Sequence, residues 1–375
     1  MTDTFDDIRP YNDAEMKDAI SRITNSPVFA SVAEYVYPNT PLNQVRQRLS
    51  SIATVDELQN TVMVDIIQSI IRQSIESLTY EGAEQLDPAG AYLFISNHRD
   101  IVLDAYLLQF VLRQHHCPLC QITFGANLMQ NPLINDVGRC NKMFRVERGG
   151  SPREFYRAMS RTSQYIRHTI TYQHESVWIA QRNGRTKNGI DQTEVALVKM
   201  LGMNGGKDNV SAYDSLHIVP ISISYEWEPC DLLKALELCR TRHGHYTKAP
   251  DEDLISILTG IKSPKGHVHI AINKAISSED LTNISPENDF HEQLTSIIDK
   301  RILRGYRLTA NNYIAHDISN ESTKNRDHYT DDQRNRFEQH IQQLTASAQT
   351  DISSRLRTTL LNIYANPVDH CTISL

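Results

Sequence analysis

The 375-residue sequence has no uninterrupted apolar run of 18 residues, and its best candidate, 101–112, is broken by Asp104 and Gln109 and is too short to span a bilayer. It also lacks an apolar core near its start. The opening Met-Thr-Asp-Thr-Phe-Asp-Asp is acidic, which argues against a secretory leader. Cysteine is sparse: six in a chain of this length, without a leader, fit free thiols in a reducing cytoplasm. With 15 Gly and 14 Pro there is too little of either for a collagen-like or low-complexity architecture. An excess of positive charge is missing too. Lys and Arg total 38 against 45 Asp and Glu, a net charge of −7, so no global field attracts a phosphate chain and nucleic acid is excluded as the main partner.

What is present is a foldable chain. Hydrophobic residues make up 40%, too many for disorder, and a mean hydropathy of −0.44 points to a soluble protein. Cys117-Pro-Leu-Cys120, preceded by His115 and His116, raises the question of zinc. A structural zinc needs four ligands, and no second Cys-x-x-Cys or paired His at finger spacing supplies them. Small buried thiols at a helix-to-strand turn are the plainer reading, so no metal is expected.

Three textures follow one another along the chain. Residues 12–80 read as helices, with apolar residues at a three-to-four period through 54–78 (Leu58, Val62, Ile66, Ile67, Ile70, Ile71, Ile75). From about Tyr80, short apolar runs alternate with amphipathic segments: strands are expected at 91–96, 120–124, 143–146, 176–180, 216–225 and 266–272, and helices at 101–113 and 153–171. That alternation predicts an α/β fold, a mixed and largely parallel sheet flanked by helices. The remainder, from about Pro286, is helical again and polar on most faces, which suggests packing on the exterior. The expected organisation is an N-terminal helical region (1–80), an α/β domain (81–280) and a C-terminal helical region (281–375).

The most informative segment is Ser96-Asn97-His98-Arg99-Asp100-Ile101-Val102-Leu103-Asp104. It sets a histidine just beyond a buried strand, where open α/β sheets place their ligands, with acidic residues close behind. An imidazole that takes a proton needs a carboxylate to hold its tautomer and support the imidazolium. The plainer alternative is that His98 and Asp100 merely cap a helix. No Gly-x-Ser-x-Gly elbow occurs, so the base would activate an external nucleophile. A protein-kinase loop is excluded, because Ala105 stands where its Asn is required and no Gly-rich loop precedes it.

Three further segments add weight. Between Arg139 and Arg167 there are eight cations and two acidic residues, in a chain that is acidic overall. Guanidiniums of this kind hold phosphate bidentately. Gln181-Arg182-Asn183-Gly184-Arg185-Thr186-Lys187-Asn188-Gly189 is a loop with two glycines and three cations, suited to close backbone approach and charge neutralisation. Finally, the strand His217-Ile-Val-Pro220-Ile carries a proline, which suggests an edge or a shaped strand end beside a pocket.

In this order the segments resemble the four blocks of the glycerolipid acyltransferase family, enzymes that acylate glycerol 3-phosphate and lysophosphatidic acid; the resemblance covers residues 94–226. Asn97-His98 through Asp104-Ala-Tyr-Leu-Leu resembles the first block, which implies His98 as base and Asp104 as orienting acid. The family places four residues between the two, and here there are five, with Asp100 the fallback acid. Residues 144–148 resemble the second block, with Arg148 at its phosphate-binding arginine. The Gly184-Arg185-Thr186-Lys187 stretch resembles the third, implying acceptor contacts from Gly184, Arg185 and Lys187, although the usual glutamate of that block is absent. Val219-Pro220-Ile221 and Tyr225-Glu226 resemble the fourth, which adds Pro220 to the substrate site.

The resemblance implies transfer of a fatty acyl group from acyl-CoA or acyl carrier protein to a hydroxyl of glycerol 3-phosphate or its 1-acyl derivative. The thioester is a co-substrate, and no bound cofactor is expected. An acidic carrier protein would use the 139–167 surface, and the enzyme would work from the cytoplasm, docking reversibly on the inner face of the membrane. The competing readings are a non-catalytic lipid-binding protein on the same scaffold and an acyltransferase for another lysolipid or an amine.

Overall fold

A computed structural model describes residues 5–147, 149–241, 249, 251–285, 289–346 and 350–373, with backbone alone for 350–354 and 373. Seven strands form one sheet: β1 (Ile75–Glu81), β2 (Leu93–Ser96), β3 (Gln121–Gly125), β4 (Met143–Val146), β5 (Val177–Ala180), β6 (Ile218–Tyr225) and β7 (Gly266–Ile272). Their order is β1-β7-β6-β2-β5-β3-β4, and every neighbouring pair is parallel except β6 with β7. The fold is therefore the mixed, largely parallel α/β sheet that the alternating texture predicts. Both faces are covered, and the alternation of side chains along each strand divides the core in two. Phe94, Trp178, Val219 and Ile221 pack with the N-terminal helices and helix Leu103–Gln114. Leu93, Ile95, Val177, Ile179 and Ile218 face helices Pro152–Thr171, Val195–Gly202 and Phe290–Gly305 on the other side.

The N-terminal helices thus share a core with the sheet: Met16, Ile20, Val45, Ile67 and Ile70 belong to the same cluster as Phe94 and Leu107. The helical period read through 54–78 stops early. It is interrupted by a π turn at Gln59–Met63, and the helix ends at Ser74, after which Ile75–Glu81 is the edge strand β1. Nothing in the local pattern announces a strand there. Pairing with β7 decides it, helped by the Ser77 and Thr79 hydroxyls, which bond His267 Nδ1 at 2.6 Å and His269 Nδ1 at 2.8 Å.

Local chemistry does explain helix Pro152–Thr171. Ser151 and Glu154 form a capping box, and Pro152 occupies the first turn, where its missing N–H costs nothing. The proline in β6 has a different setting from the one expected. β6 lies inside the sheet between β7 and β2, not at an edge. Pro220 is tolerated because it lies one residue beyond the last rung of the ladder with β7, Ile221 with Ile272, where its carbonyl still accepts from Asn273 N at 3.0 Å.

The C-terminal helices build a third cluster, with Phe337, Ile341, Leu356, Leu360 and Tyr364 packed on Ala235 and Ile314. They are more than an exterior layer, because the last helix, Thr350–Ile373, reaches the loop that follows β5. No helix among the described residues is long and apolar enough to cross a membrane.

Candidate active site

The carboxyl ends of β2, β5 and β6 meet at one point of the sheet, and His98 stands there. The chain leaves β2 at Ser96 and does not become helical until Leu103. The extra residue between His98 and Asp104 is therefore absorbed by an irregular turn, where a continuous helix would have rotated Asp104 away. Asp100 shapes the turn: its Oδ1 accepts from Val102 N at 2.9 Å and Leu103 N at 2.8 Å and so starts the helix. Asp104, one position into that helix, points back. Its Oδ2 accepts from His98 Nδ1 at 2.9 Å, Arg99 N at 2.7 Å and Asp100 N at 3.0 Å, and its Oδ1 accepts from the Tyr225 hydroxyl at 2.8 Å. Of the two candidate acids, Asp104 is the one bonded to the imidazole.

Four donors hold this fully buried carboxylate, which in turn fixes the ring. The proton on Nδ1 is the one shared with Asp104, and Nε2 is left to face other chemistry. The ring meets the edge of Trp178 at 5.8 Å, and Trp178 Nε1 donates to Ser96 Oγ at 3.0 Å. Burial, then the negative charges of Asp104 and Asp100, push the Tyr225 phenol well above its ordinary value, so it stays a donor to Asp104.

Under the histidine lies a buried charge network to which the motif reading assigned no role. Arg99, 1% exposed, donates to Asp191 through Nε (3.1 Å) and Nη2 (2.7 Å), to Glu228 through Nη1 (3.0 Å) and to the Gly189 carbonyl (3.3 Å). Lys234 Nζ donates to Glu228 at 2.5 Å and to the Arg99 carbonyl at 2.6 Å. Asn97 Nδ2 donates to Asp191 at 2.9 Å and to the Ile223 carbonyl at 2.9 Å, tying β2 to β6 on one side of His98. Two cations thus balance two carboxylates out of reach of water, the one arrangement in which buried charge is tolerated. Burial opposes the charge on Arg99, but Asp191, Tyr306 and Glu228 outweigh it and hold the guanidinium well above its usual range. Burial likewise opposes ionisation of Asp191, yet Arg99 draws its carboxyl below the usual value. These residues are scattered at 97, 99, 191, 228 and 234, and apart from Asn97 and Arg99, beside the histidine, nothing in the sequence marks them.

The glycine-rich loop after β5 folds against this network. Thr186 N donates to the His98 carbonyl at 2.7 Å, joining the loop directly to the histidine. Arg185 is buried, with Nη1 lacking a partner. Lys187 is instead engaged, ion-paired with Glu237 of helix Asp231–Thr241. The two glycines serve different ends. Gly184 (φ +76°) stands in open space, whereas Gly189 (φ +79°) lets the chain approach helix Thr350–Ile373, where an added Cβ would come within 2.3 Å of the Ile363 carbonyl. The close approach expected toward a ligand is, at Gly189, an approach to the chain's own C-terminal helix. That helix also reaches the loop through Asn366 Nδ2, which donates to the Asn188 carbonyl at 2.8 Å, and through His370 Nε2, which bonds the Asp191 carbonyl.

The cationic run of residues 139–167 is largely consumed within the protein. Arg139 donates to the carbonyls of Arg9 and Asp6 and stacks on Tyr11; Arg161 pairs with Asp7; Lys142 pairs with Glu175; Arg167 donates to Ser215 and to the Leu201 and Ala212 carbonyls. The acidic N-terminal segment is what neutralises part of it. Arg145, Arg157 and Arg161 share a cavity of about 400 Å³ with Asp7 and Glu147. Arg148 lies outside the described residues. At the other strand end, Cys120 is buried, and burial pushes its thiol up to about 12.

Comparison with known proteins agrees with the chemistry of the site. Residues 77–224 match the family model described as Acyltransferase, in agreement with the glycerolipid acyltransferase resemblance read from the four blocks. The match ends one residue before Tyr225, so Tyr225, Glu228, Lys234, helix Glu252–Lys262 and the C-terminal helices lie outside it. No curated protein matches the chain. Among solved structures the chain is similar to the 1-acyl-sn-glycerophosphate (LPA) acyltransferase PlsC from Thermotoga maritima, at 12% identity over 78% of this chain and 94% of that one, with a TM-score of 0.37 that is too low to carry weight.

Proposed function

We propose that the chain is an O-acyltransferase of glycerolipid synthesis, in which His98 is the general base. The observation that carries this is the His98–Asp104 contact of 2.9 Å, formed despite the extra residue between them. His98 Nε2 takes the proton of a hydroxyl on a phosphorylated glycerol as that oxygen attacks the carbonyl carbon of a fatty-acyl thioester. The C–S bond then breaks, Nε2–H returns the proton to the departing sulfur, and an ester and a free thiol result. Asp104 keeps the Nδ1 tautomer and supports the imidazolium charge. The donor is acyl-CoA or acyl carrier protein, and the acceptor is glycerol 3-phosphate or its 1-acyl derivative. Arg185, with an unpartnered guanidinium nitrogen beside the histidine's loop, supports acceptor phosphate binding. Arg148, Gly184 and Pro220 are assigned to substrate by family resemblance, as is Lys187, which must exchange Glu237 for phosphate to take part. The N-terminal helices, the α/β region 81–280 and the C-terminal helices act as one catalytic body in the cytoplasm, with reversible access to the membrane.

His98→Ala is expected to abolish thiol release from acyl-CoA in the presence of glycerol 3-phosphate while the melting curve stays in place. Persisting turnover would remove His98 as the base. Arg185→Ala is expected chiefly to raise the acceptor KM, and an unchanged KM would take Arg185 out of the phosphate site.

A further inference from the structure

The end of the sheet that holds His98 is roofed by helix Glu252–Lys262. Three contacts fix its course. Asp253 Oδ2 accepts from Asn127 Nδ2 at 3.1 Å beyond the end of β3, the Ser256 carbonyl accepts from Cys230 Sγ at 3.2 Å, and Gly260 sits so close over Asp100 that a Cβ there would meet the carboxylate at 2.1 Å. The small residues Ser256 and Gly260 are buried against the site, while Ile255 is 51% and Leu258 41% exposed. Ile261 packs on the core, while Ile255 and Leu258 leave an apolar strip on the outer face, the kind of exposed patch that marks a binding surface.

The same end of the sheet carries a second such feature. β4 runs parallel to β3 and ends at Val146, so helix Pro152–Thr171 starts at the carboxyl-end rim before running back along the sheet. Residues 151–157 are exposed on every side, with Phe155 at 39% and Tyr156 at 64%, flanked by exposed Arg153 and Arg157 one helical turn apart. Aromatic rings beside guanidiniums suit the headgroup layer of an anionic bilayer, where the ring enters the interface and the cation meets lipid phosphate. The acidic residues of the roof helix lie at its start, where they answer the helix dipole, and not beside Leu258.

We infer that this rim, Ile255 and Leu258 on one helix and Phe155, Tyr156, Arg153 and Arg157 on the other, docks the protein on an anionic phospholipid surface. The mouth of the site then faces the layer that receives an acylated product. The choice of occupant rests on the proposed reaction, since its product is an amphiphile that leaves into lipid.

The test is co-sedimentation of the full chain with vesicles of phosphatidylcholine alone and of phosphatidylcholine mixed with phosphatidylglycerol. Wild type is expected to bind the anionic vesicles. Ile255→Ser with Leu258→Ser, and separately Phe155→Ser with Tyr156→Ser, are expected to weaken that binding by about tenfold or more. Arg153→Gln with Arg157→Gln is expected to remove the preference for anionic lipid. Unchanged melting midpoints show that each pair folds, and the two apolar pairs lie on different helices, so failure of one leaves the other to decide. Equal binding by wild type and variants, absence of binding by wild type, or variants that keep vesicle binding while losing an acidic carrier protein each overturn the surface. Thiol release from acyl-CoA with soluble glycerol 3-phosphate, measured without vesicles, reads the His98 chemistry separately. Its absence in wild type would sink the reaction and leave the vesicle result standing.

Discussion

At the scale of single residues, the site is governed by what surrounds Asp104 and Arg99. Asp104 gathers four donors, so Asp104→Asn keeps the volume but presents an amide that holds the wrong tautomer of His98. Turnover is expected to fall by a factor on the order of 10²–10⁴ with the acceptor KM little changed, measured by steady-state thiol release. Arg99 touches nothing that reacts, yet it connects the histidine's turn to Asp191, Glu228 and Gly189. Arg99→Met removes one charge from a balanced set of four and leaves Asp191 without its cation. A loss of about 3–5 kcal/mol is expected in urea unfolding. A loss under about 1 kcal/mol would mean that water enters the network. His98 and Asp104 were legible in sequence because strand, turn and helix place them close along the chain. Asp191, Glu228 and Lys234 were not, because their partner lies about 90 to 135 positions away.

At the scale of elements, the loop after β5 is held from two sides, by the histidine's turn and by helix Thr350–Ile373. Gly189→Ala places a Cβ against the Ile363 carbonyl in a left-handed conformation, whereas Gly184→Ala meets only the conformational penalty. Gly189→Ala is expected to cost about 1–3 kcal/mol and Gly184→Ala about 1 kcal/mol, a difference readable as melting temperature. Helix Phe290–Gly305 makes a related contact. Asp299 Oδ1 accepts from Thr193 N at 2.8 Å and Thr193 Oγ1 at 2.5 Å beside the same loop. Burial pushes the Asp299 carboxyl up to about 6, outweighing the lowering by Thr193 and His370. Between about pH 4 and pH 6 the folded chain therefore holds a proton that the unfolded chain has released, and stability falls as pH rises through that window. Two units correspond to about 3 kcal/mol. Asp299→Asn keeps an acceptor for Thr193 and removes the charge, so its melting temperature is expected to exceed wild type at pH 7.5 and to match it near pH 4.

At the scale of the whole molecule, the charge balance is redistributed by folding. A run of eight cations reads as a phosphate-seeking surface, but Asp7, Glu175 and backbone carbonyls take up several of them. Among the described residues of this run, Arg153 and Arg157 are exposed, on a helical end that projects at the rim of the site. Among the described residues no helix is long and apolar enough to cross a membrane, and the exposed rim residues are the ones proposed above to meet lipid. Raising salt is expected to weaken vesicle binding through these two arginines while leaving soluble turnover nearly unchanged.

By itself the sequence determined the parts that short-range physics controls. Alternating apolar runs specified six of the seven strands, and a histidine beyond a strand end with an acid in the following helical turn marked the pair that the structure joins by a hydrogen bond. Tertiary structure alone decided the rest. It made a strand of 75–81, whose pattern is helical but whose hydroxyls meet β7; it set Pro220 inside the sheet just beyond the final rung with β7; and it assembled four buried charges from distant segments beneath His98. Pairing and desolvation depend on which distant groups arrive together, and no local period records that.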